Sequence, residues 1–244
     1  MARSARLELA GGIHHVWQRG NNRQPIFVEP ADRRFFLALL REIGDKYQWH
    51  CLGYCLMENH FHLVLETPRC TLGSGMRDLG SRYAQWFHDR HATGGGHLFQ
   101  ARFGSKLVLR DDQFAQLLRY VARNPVRAGL CERPEDWTWS SHRALMSGDP
   151  HPLIAVDRVY GWLAGIVSTG NPYRRLFDPE GPMRAIDPDL NPWNLRRALS
   201  ELFAKADASV ALRAARDEGY RLAEIAAYLG VSEATVSRRL ARVT

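Results

Sequence analysis

His60-Phe61-His62-Leu63-Val64-Leu65-Glu66 alternates with a period of two, the spacing at which a β-strand sends successive side chains to opposite faces. Phe61, Leu63 and Leu65 then point together into a core, and His60 and His62 share the other face. Just upstream, Trp49 to Leu56 forms a second strand, joined to the first by the tight turn Met57-Glu58-Asn59. Gly12 to Gly20 is an earlier strand that ends in the polar loop Asn21-Asn22-Arg23-Gln24. Between these, Phe35, Phe36, Leu39, Leu40 and Ile43 recur at helical spacing after Pro30.

Downstream, Leu79, Tyr83 and Phe87 mark a helix from about Met76 to His88. A glycine-rich loop around Gly94 to Gln100 leads to a short strand from Ser105 to Leu109. A third helix, with Asp111 as its expected N-cap, should stop at Asn124-Pro125, because the residue before a proline avoids helical geometry. Strand, helix, strand, strand, helix, strand is the order of an α+β, ferredoxin-like antiparallel sheet with helices on one face. The opposite face is left for chemistry.

Residues 1–143 are expected to form this domain, and 144–192 a proline-rich extension and linker with one helix from Ala155 to Val167. Residues 193–244 change character to nearly proline-free helix. Within them, Arg221 to Leu240 reads as a helix-turn-helix, a small all-α unit. Leu222, Ile225, Ala226 and Leu229 make its first apolar face, Gly230 the turn, Ser232 the cap, and Val236 and Leu240 the second face. Glu233, Thr235, Ser237, Arg238 and Arg239 are then free for contact with duplex DNA. A helical hairpin used only for packing would show the same apolar pattern.

Lys and Arg number 33 against 26 Asp and Glu, for a net charge of +7, and arginine supplies most of the excess. Its planar fork suits phosphate, so nucleic acid is the expected acidic partner. No stretch approaches the roughly 18 apolar residues of a membrane span, which sets the expectation of no membrane partner and a cytoplasmic, nucleoid-associated location. Cys51, Cys55, Cys70 and Cys131 are too scattered for a disulfide framework, and buried thiols are the expectation for the first two.

Two imidazoles side by side on an open sheet face can share one cation, or can simply be a surface pair. On the third helix, Phe114, Leu117, Leu118 and Val121 form the buried stripe. Tyr120 lies off its centre and Asn124 follows one turn later, so a phenol and a carboxamide project from one helix edge. Such a mixed nitrogen and oxygen set suits Mg2+ or Mn2+ acting on phosphate. Edge packing is the other reading of Tyr120. Tyr83, the alternative nucleophile, falls within an apolar stripe and reads as core.

Five stretches occur in order: His15-Val16-Trp17-Gln18-Arg19-Gly20-Asn21-Asn22-Arg23-Gln24; Met57-Glu58-Asn59-His60-Phe61-His62; Gly96-His97-Leu98-Phe99-Gln100-Ala101-Arg102-Phe103; Tyr120 through Gly129; and Trp137-Thr138-Trp139-Ser140-Ser141-His142. Together they resemble the REP-associated tyrosine transposase (RAYT) branch of the single-tyrosine, HUH-type insertion-sequence transposases. The resemblance spans about Gly11 to His142. It implies a metal pair at His60 and His62, a third ligand at Asn124, a divalent Mg2+ or Mn2+ cofactor, and Tyr120 as nucleophile. Glu58 departs from the proline that relatives often carry there, which alters the turn.

The implied activity is metal-dependent single-strand nicking and rejoining through a 5′-phosphotyrosine, on hairpin-forming repeats. Arg19, Asn21, Asn22, Arg23, His97, Arg102 and Arg127 are the expected DNA contacts. Trp17, Phe99 and Trp139 either stack on bases or pack in the core. A DNA-binding regulator with an inactive transposase-like domain, and a metal nuclease using activated water, are the competing functions. A monomer is expected.

Overall fold

The computed structural model describes residues 8–241 apart from 168–169, 185, 187–190, 193–198, 205–206, 219 and 221. Arg221, the first residue of the expected helix-turn-helix, lies outside the described residues. The chain divides into two compact units, residues 1–192 and 193–244.

In the first unit, β1 (Gly12–Arg19), β2 (His50–Leu56), β3 (His60–Thr67) and β4 (Gly104–Val108) form one sheet in the order β2-β3-β1-β4. All pairings are antiparallel, with Trp17 opposite His62, Arg19 opposite His60, and Cys55 opposite His62 on the other side. The alternation legible in the sequence is realised in space. Phe61 packs with Phe36 of α1 (Pro30–Tyr47), ring centres 4.8 Å apart, and Phe36 meets Tyr83 of α2 (Leu72–His91) at 5.1 Å. The two helices are tied at their surfaces by Lys46–Asp78 and Arg82–Glu42 ion pairs.

The histidine face is not bare. Helix α3 (Asp111–Arg127) docks against β2, where Leu118 and the Ser141 hydroxyl crowd Gly53 so closely that a methyl group there would touch both. The expected stripe Phe114, Leu117, Leu118 and Val121 is buried.

Two features of α3 correct the sequence reading. Its N-cap is Arg110, not Asp111, and the helix does not stop at Asn124-Pro125 but runs to Arg127 with Pro125 inside it. Proline forfeits one N–H bond and disfavours a helical residue before it. So near the C-terminus, however, few turns remain to be disrupted, and the Ala128 N–H still reaches the Asn124 carbonyl at 3.0 Å.

The chain after α3 edges the sheet. Leu56 N–H donates to the Trp139 carbonyl and Ser141 N–H to that of Tyr54, so the Trp137–His142 stretch occupies the outer edge of β2. Helix α4 (His142–Ser147) follows, then α5 (Val156–Leu163), which is shorter than the expected Ala155 to Val167, and α6 (Pro172–Arg175). Arg158 of α5 makes a two-point bond to the buried carboxylate of Glu66, both contacts at 2.6 Å. Tyr173 of α6 donates its hydroxyl to His142 Nδ1 at 2.9 Å.

The second unit holds α7 (Leu199–Ala204), α8 (Ala208–Asp217), α9 (Leu222–Leu229) and α10 (Glu233–Ala241) around a small core of Leu202, Leu212, Ala215, Ile225, Ala226 and Val236. Gly230 has a φ of 64° at the turn between α9 and α10, a left-handed conformation that costs glycine little. The Thr235 N–H reaches the Ser232 hydroxyl at 3.3 Å, the capping role expected for Ser232. Among the described residues no helix is long and apolar enough to cross a membrane.

Candidate active site

Four rings meet where β1, β3 and α3 approach one another. The His60 and His62 centres are 5.2 Å apart with the rings nearly perpendicular. Tyr120 presents its ring edgewise to His62 at 6.0 Å and to His15 at 6.3 Å. His15 stacks on His62 at 5.0 Å, with its Nε2 2.8 Å from His62 Nδ1. His15 carries no role legible from its own stretch of sequence. The available signal was register: His15 and Trp17 share the face of β1 that lies beside the face of β3 carrying His62, and antiparallel neighbours set diagonally are within reach of long side chains.

Burial sets the charge state of this cluster. His60 is pushed down to about 4 by burial and by nearby Arg19. Burial drives His62 well below the usual imidazole value, with His15, His60, Arg19 and Arg127 adding to the effect. His15 is lowered to about 3 by burial, assisted by Lys106. All three are neutral at pH 7, the form in which an imidazole has a lone pair to give a cation.

The donor chemistry fits a divalent cation. His60 Nδ1 is held by the Asn59 side-chain oxygen at 2.7 Å and His62 Nδ1 lies 2.8 Å from His15 Nε2, so Nε2 of each is the atom that would face a cation. Asn124 uses its amide nitrogen to bond the Tyr120 carbonyl at 2.8 Å, so its carboxamide oxygen is the atom that would be offered to a cation. Among the described residues no group of three or more His, Cys, Asp or Glu side chains is placed to hold a metal ion.

The expected DNA contacts fall in three places. Arg19 lies at the end of β1 opposite His60, and the Asn21-Asn22-Arg23 loop is tethered to the turn before it. Gly20 N–H donates to the Asn59 carbonyl and the Asn59 amide to that of Arg23. Asn22 and Arg23 both hold positive φ, 51° and 61°, at a cost of about 1 kcal/mol or more each, the strain that accumulates at functional loops. His97 and Arg102 line a groove of about 710 Å3 between α2 and the 96–103 segment, with Arg77 and Phe99. Arg127 is the third, its guanidinium lying over the Tyr120 ring.

The aromatics divide. Trp17 packs on His15 and lies so close over Gly104 that any side chain at 104 would collide with the indole. Trp139 is covered by the guanidinium of Arg33 at 5.5 Å. Phe99 faces the groove. Tyr83 is fully buried and donates its hydroxyl to the Ile26 carbonyl at 2.6 Å, and burial raises its pKa far above the usual phenol value. Cys51 and Cys55 are buried free thiols, as expected.

In the second unit, Ser237, Arg238 and Arg239 are exposed on α10, while Thr235 is half-buried and shares its hydroxyl with Ser232.

A family model described as "Transposase IS200 like" matches residues 10–124. This part of the chain is similar to IS200-like transposases. The match ends at Asn124 and takes in both site histidines and Tyr120. A second family model, "Sigma-70, region 4", matches residues 194–243, the helix-turn-helix unit. A putative REP-associated tyrosine transposase of Haemophilus influenzae is 23% identical over 127 residues, covering 48% of this chain and 72% of that protein. A solved REP-associated tyrosine transposase bound to a REP hairpin superposes with a TM-score of 0.53 at 18% identity, over 64% of this chain and 92% of that one. At that identity the likeness is one of fold, and it covers the mixed α+β architecture of the transposase domain.

Proposed function

We propose that this transposase-type enzyme nicks and rejoins single-stranded DNA at hairpin-forming repeats through a phosphotyrosine link to Tyr120. The observation that carries the reading is the meeting of the Tyr120 and His62 rings, 6.0 Å apart, brought together from distant elements of the chain. A packing tyrosine on a helix edge has no need of a neutral histidine pair at its side.

His60, His62 and Asn124 would hold a divalent Mg2+ or Mn2+, which when bound polarises the scissile phosphate and offsets charge on its oxygens. The Tyr120 oxygen attacks phosphorus as its proton leaves, the bond to the 3′-oxygen breaks, and that oxygen takes up a proton. The products are a 5′-phosphotyrosine and a free 3′-OH. Attack by a 3′-OH reverses the exchange, conserving the bond energy and requiring no ATP.

Arg19, Asn21, Asn22 and Arg23 would grip the strand at the His60 end of the sheet. The groove with His97 and Arg102 would take the flanking single strand, with Phe99 as a stacking surface. Thr235, Ser237, Arg238 and Arg239 of the second unit would contact duplex DNA, and the sigma-70 region 4 match supports that assignment. We assign residues 1–143 to catalysis, 144–192 to an extension laid against it, and 193–244 to duplex binding, in a cytoplasmic, nucleoid-associated monomer.

The test is a denaturing gel of labelled hairpin-bearing single-stranded DNA from the gene's own flanks, with Mn2+ or Mg2+, against Tyr120→Phe. A metal-dependent protein–DNA band that vanishes in the variant supports the reading. Cleavage without that band, unchanged in the variant, points to a water-using nuclease. Absence of cleavage, with duplex binding that depends on residues 193–244, points to a regulator.

A further inference from the structure

We propose that His15 is a positioning residue for His62, accepting at Nε2 the hydrogen bond that turns the His62 lone pair towards the cation. The inference rests on the metal reading above and adds a residue to it.

A neutral imidazole carries one N–H, so in a direct nitrogen–nitrogen bond of 2.8 Å one ring donates and the other accepts. If His15 donates, His62 Nδ1 accepts, and the single proton of His62 must then sit on Nε2. That ring has no lone pair left to ligate with. If His62 donates from Nδ1, its Nε2 keeps the lone pair, and His15 is the acceptor. The direction of this bond and the capacity of His62 to bind a cation are one choice.

The surroundings hold His15 to that task. Its backbone lies mid-strand in β1, paired with Val64 on one side and Lys106 on the other. Its ring is clamped between Trp17, at 4.9 Å, and His62, stacked at an interplanar angle of 17°. A core histidine would need only a cavity; this one is aimed, nitrogen to nitrogen, at a site residue. His60 is served in the same way by the Asn59 side-chain oxygen at 2.7 Å, so each site histidine has its own Nδ1 partner.

The experiment measures Mn2+ binding by calorimetry on the full chain without DNA, for wild type, His15→Phe, His15→Gln and His62→Ala. Phenylalanine preserves the ring stack and removes the acceptor, and its Mn2+ affinity is expected to fall about 10- to 100-fold. Glutamine places a carbonyl oxygen near the lost nitrogen and is expected to recover most of that affinity, which a purely space-filling role would not predict. Equal binding by wild type and His15→Phe overturns the role of His15 alone. No Mn2+ binding by wild type overturns the metal site and the His15 role with it. A measurement on the unmutated protein guards against variants that misfold. A long-range proton–nitrogen correlation spectrum should find the His62 proton on Nδ1, and a proton on Nε2 overturns the proposal.

Discussion

The guanidinium carbon of Arg127 lies 4.9 Å from the centre of the Tyr120 ring, two turns further along the same helix. The contact exists because α3 continues through Pro125; a helix ending at Asn124 would leave Arg127 on a loop. A fixed cation at this ring is placed to offset negative charge on a phosphate brought up to the tyrosine. Arg127→Ala is expected to slow formation of the covalent protein–DNA species about tenfold, roughly 1.4 kcal/mol in the barrier. Arg127→Lys should fall between. Single-turnover gels check this, and unchanged rates would remove Arg127 from the chemistry.

Tyr83 and Tyr120 can be told apart by function and by stability. Tyr83→Phe leaves the buried Ile26 carbonyl without its donor, a loss of about 1–3 kcal/mol in unfolding free energy, while the covalent species still forms. Tyr120→Phe should do the reverse, removing the covalent species at nearly unchanged stability. Urea melts beside the cleavage gel read both. A folded Tyr83→Phe protein that no longer captures DNA would make Tyr83 the nucleophile.

Acid should destabilise the metal-free protein. His14 is fully buried on the helix side of the sheet, and His142 is buried between the Tyr173 hydroxyl and Glu135. Burial lowers both, opposed at His14 by Glu8 and at His142 by Glu135. With folded values below the unfolded value near 6.5, the unfolded chain binds more protons once the pH falls through 6.5. The contribution is therefore complete above about pH 7 and declines below 6.5. Urea midpoints should be lower at pH 5.5 than at 7.5, and His14→Phe should flatten the difference. A midpoint that rises on acidification contradicts the sign.

The helix-turn-helix is expected to act on duplex DNA through charge. Arg238→Ala with Arg239→Ala should weaken duplex binding, and should reduce the slope of log affinity against log salt by about one unit per lost phosphate contact. Hairpin cleavage by the first unit should persist. Filter binding at several salt concentrations checks it, and an unaltered slope would move the contact elsewhere.

Much of the molecule was legible before any coordinates. Alternation in His60–Glu66 gave the strand and its two faces, because a period of two is a property of the extended backbone alone. The α3 stripe and the Gly230 turn were legible for the same local reason. Tyr83 read as core from its helical spacing with Leu79 and Phe87, and its buried hydroxyl bears that out.

What the tertiary structure decided was contact between distant segments. Neither the Nδ1 partner of His62 nor the presence of α3 on the histidine face follows from local periodicity, since both depend on sheet order and register. Pro125 is the sharpest case. Its local preference argues for a helix end, yet the helix runs on to Arg127, and α3 is anchored upstream by the burial of Phe114, Leu117, Leu118 and Val121. The sequence by itself determined which faces of strand and helix the candidate site residues occupy. Only folding brought His15, His62 and Tyr120 within about 6 Å of one another, because that proximity is set by pairing and packing across the chain rather than by spacing along it.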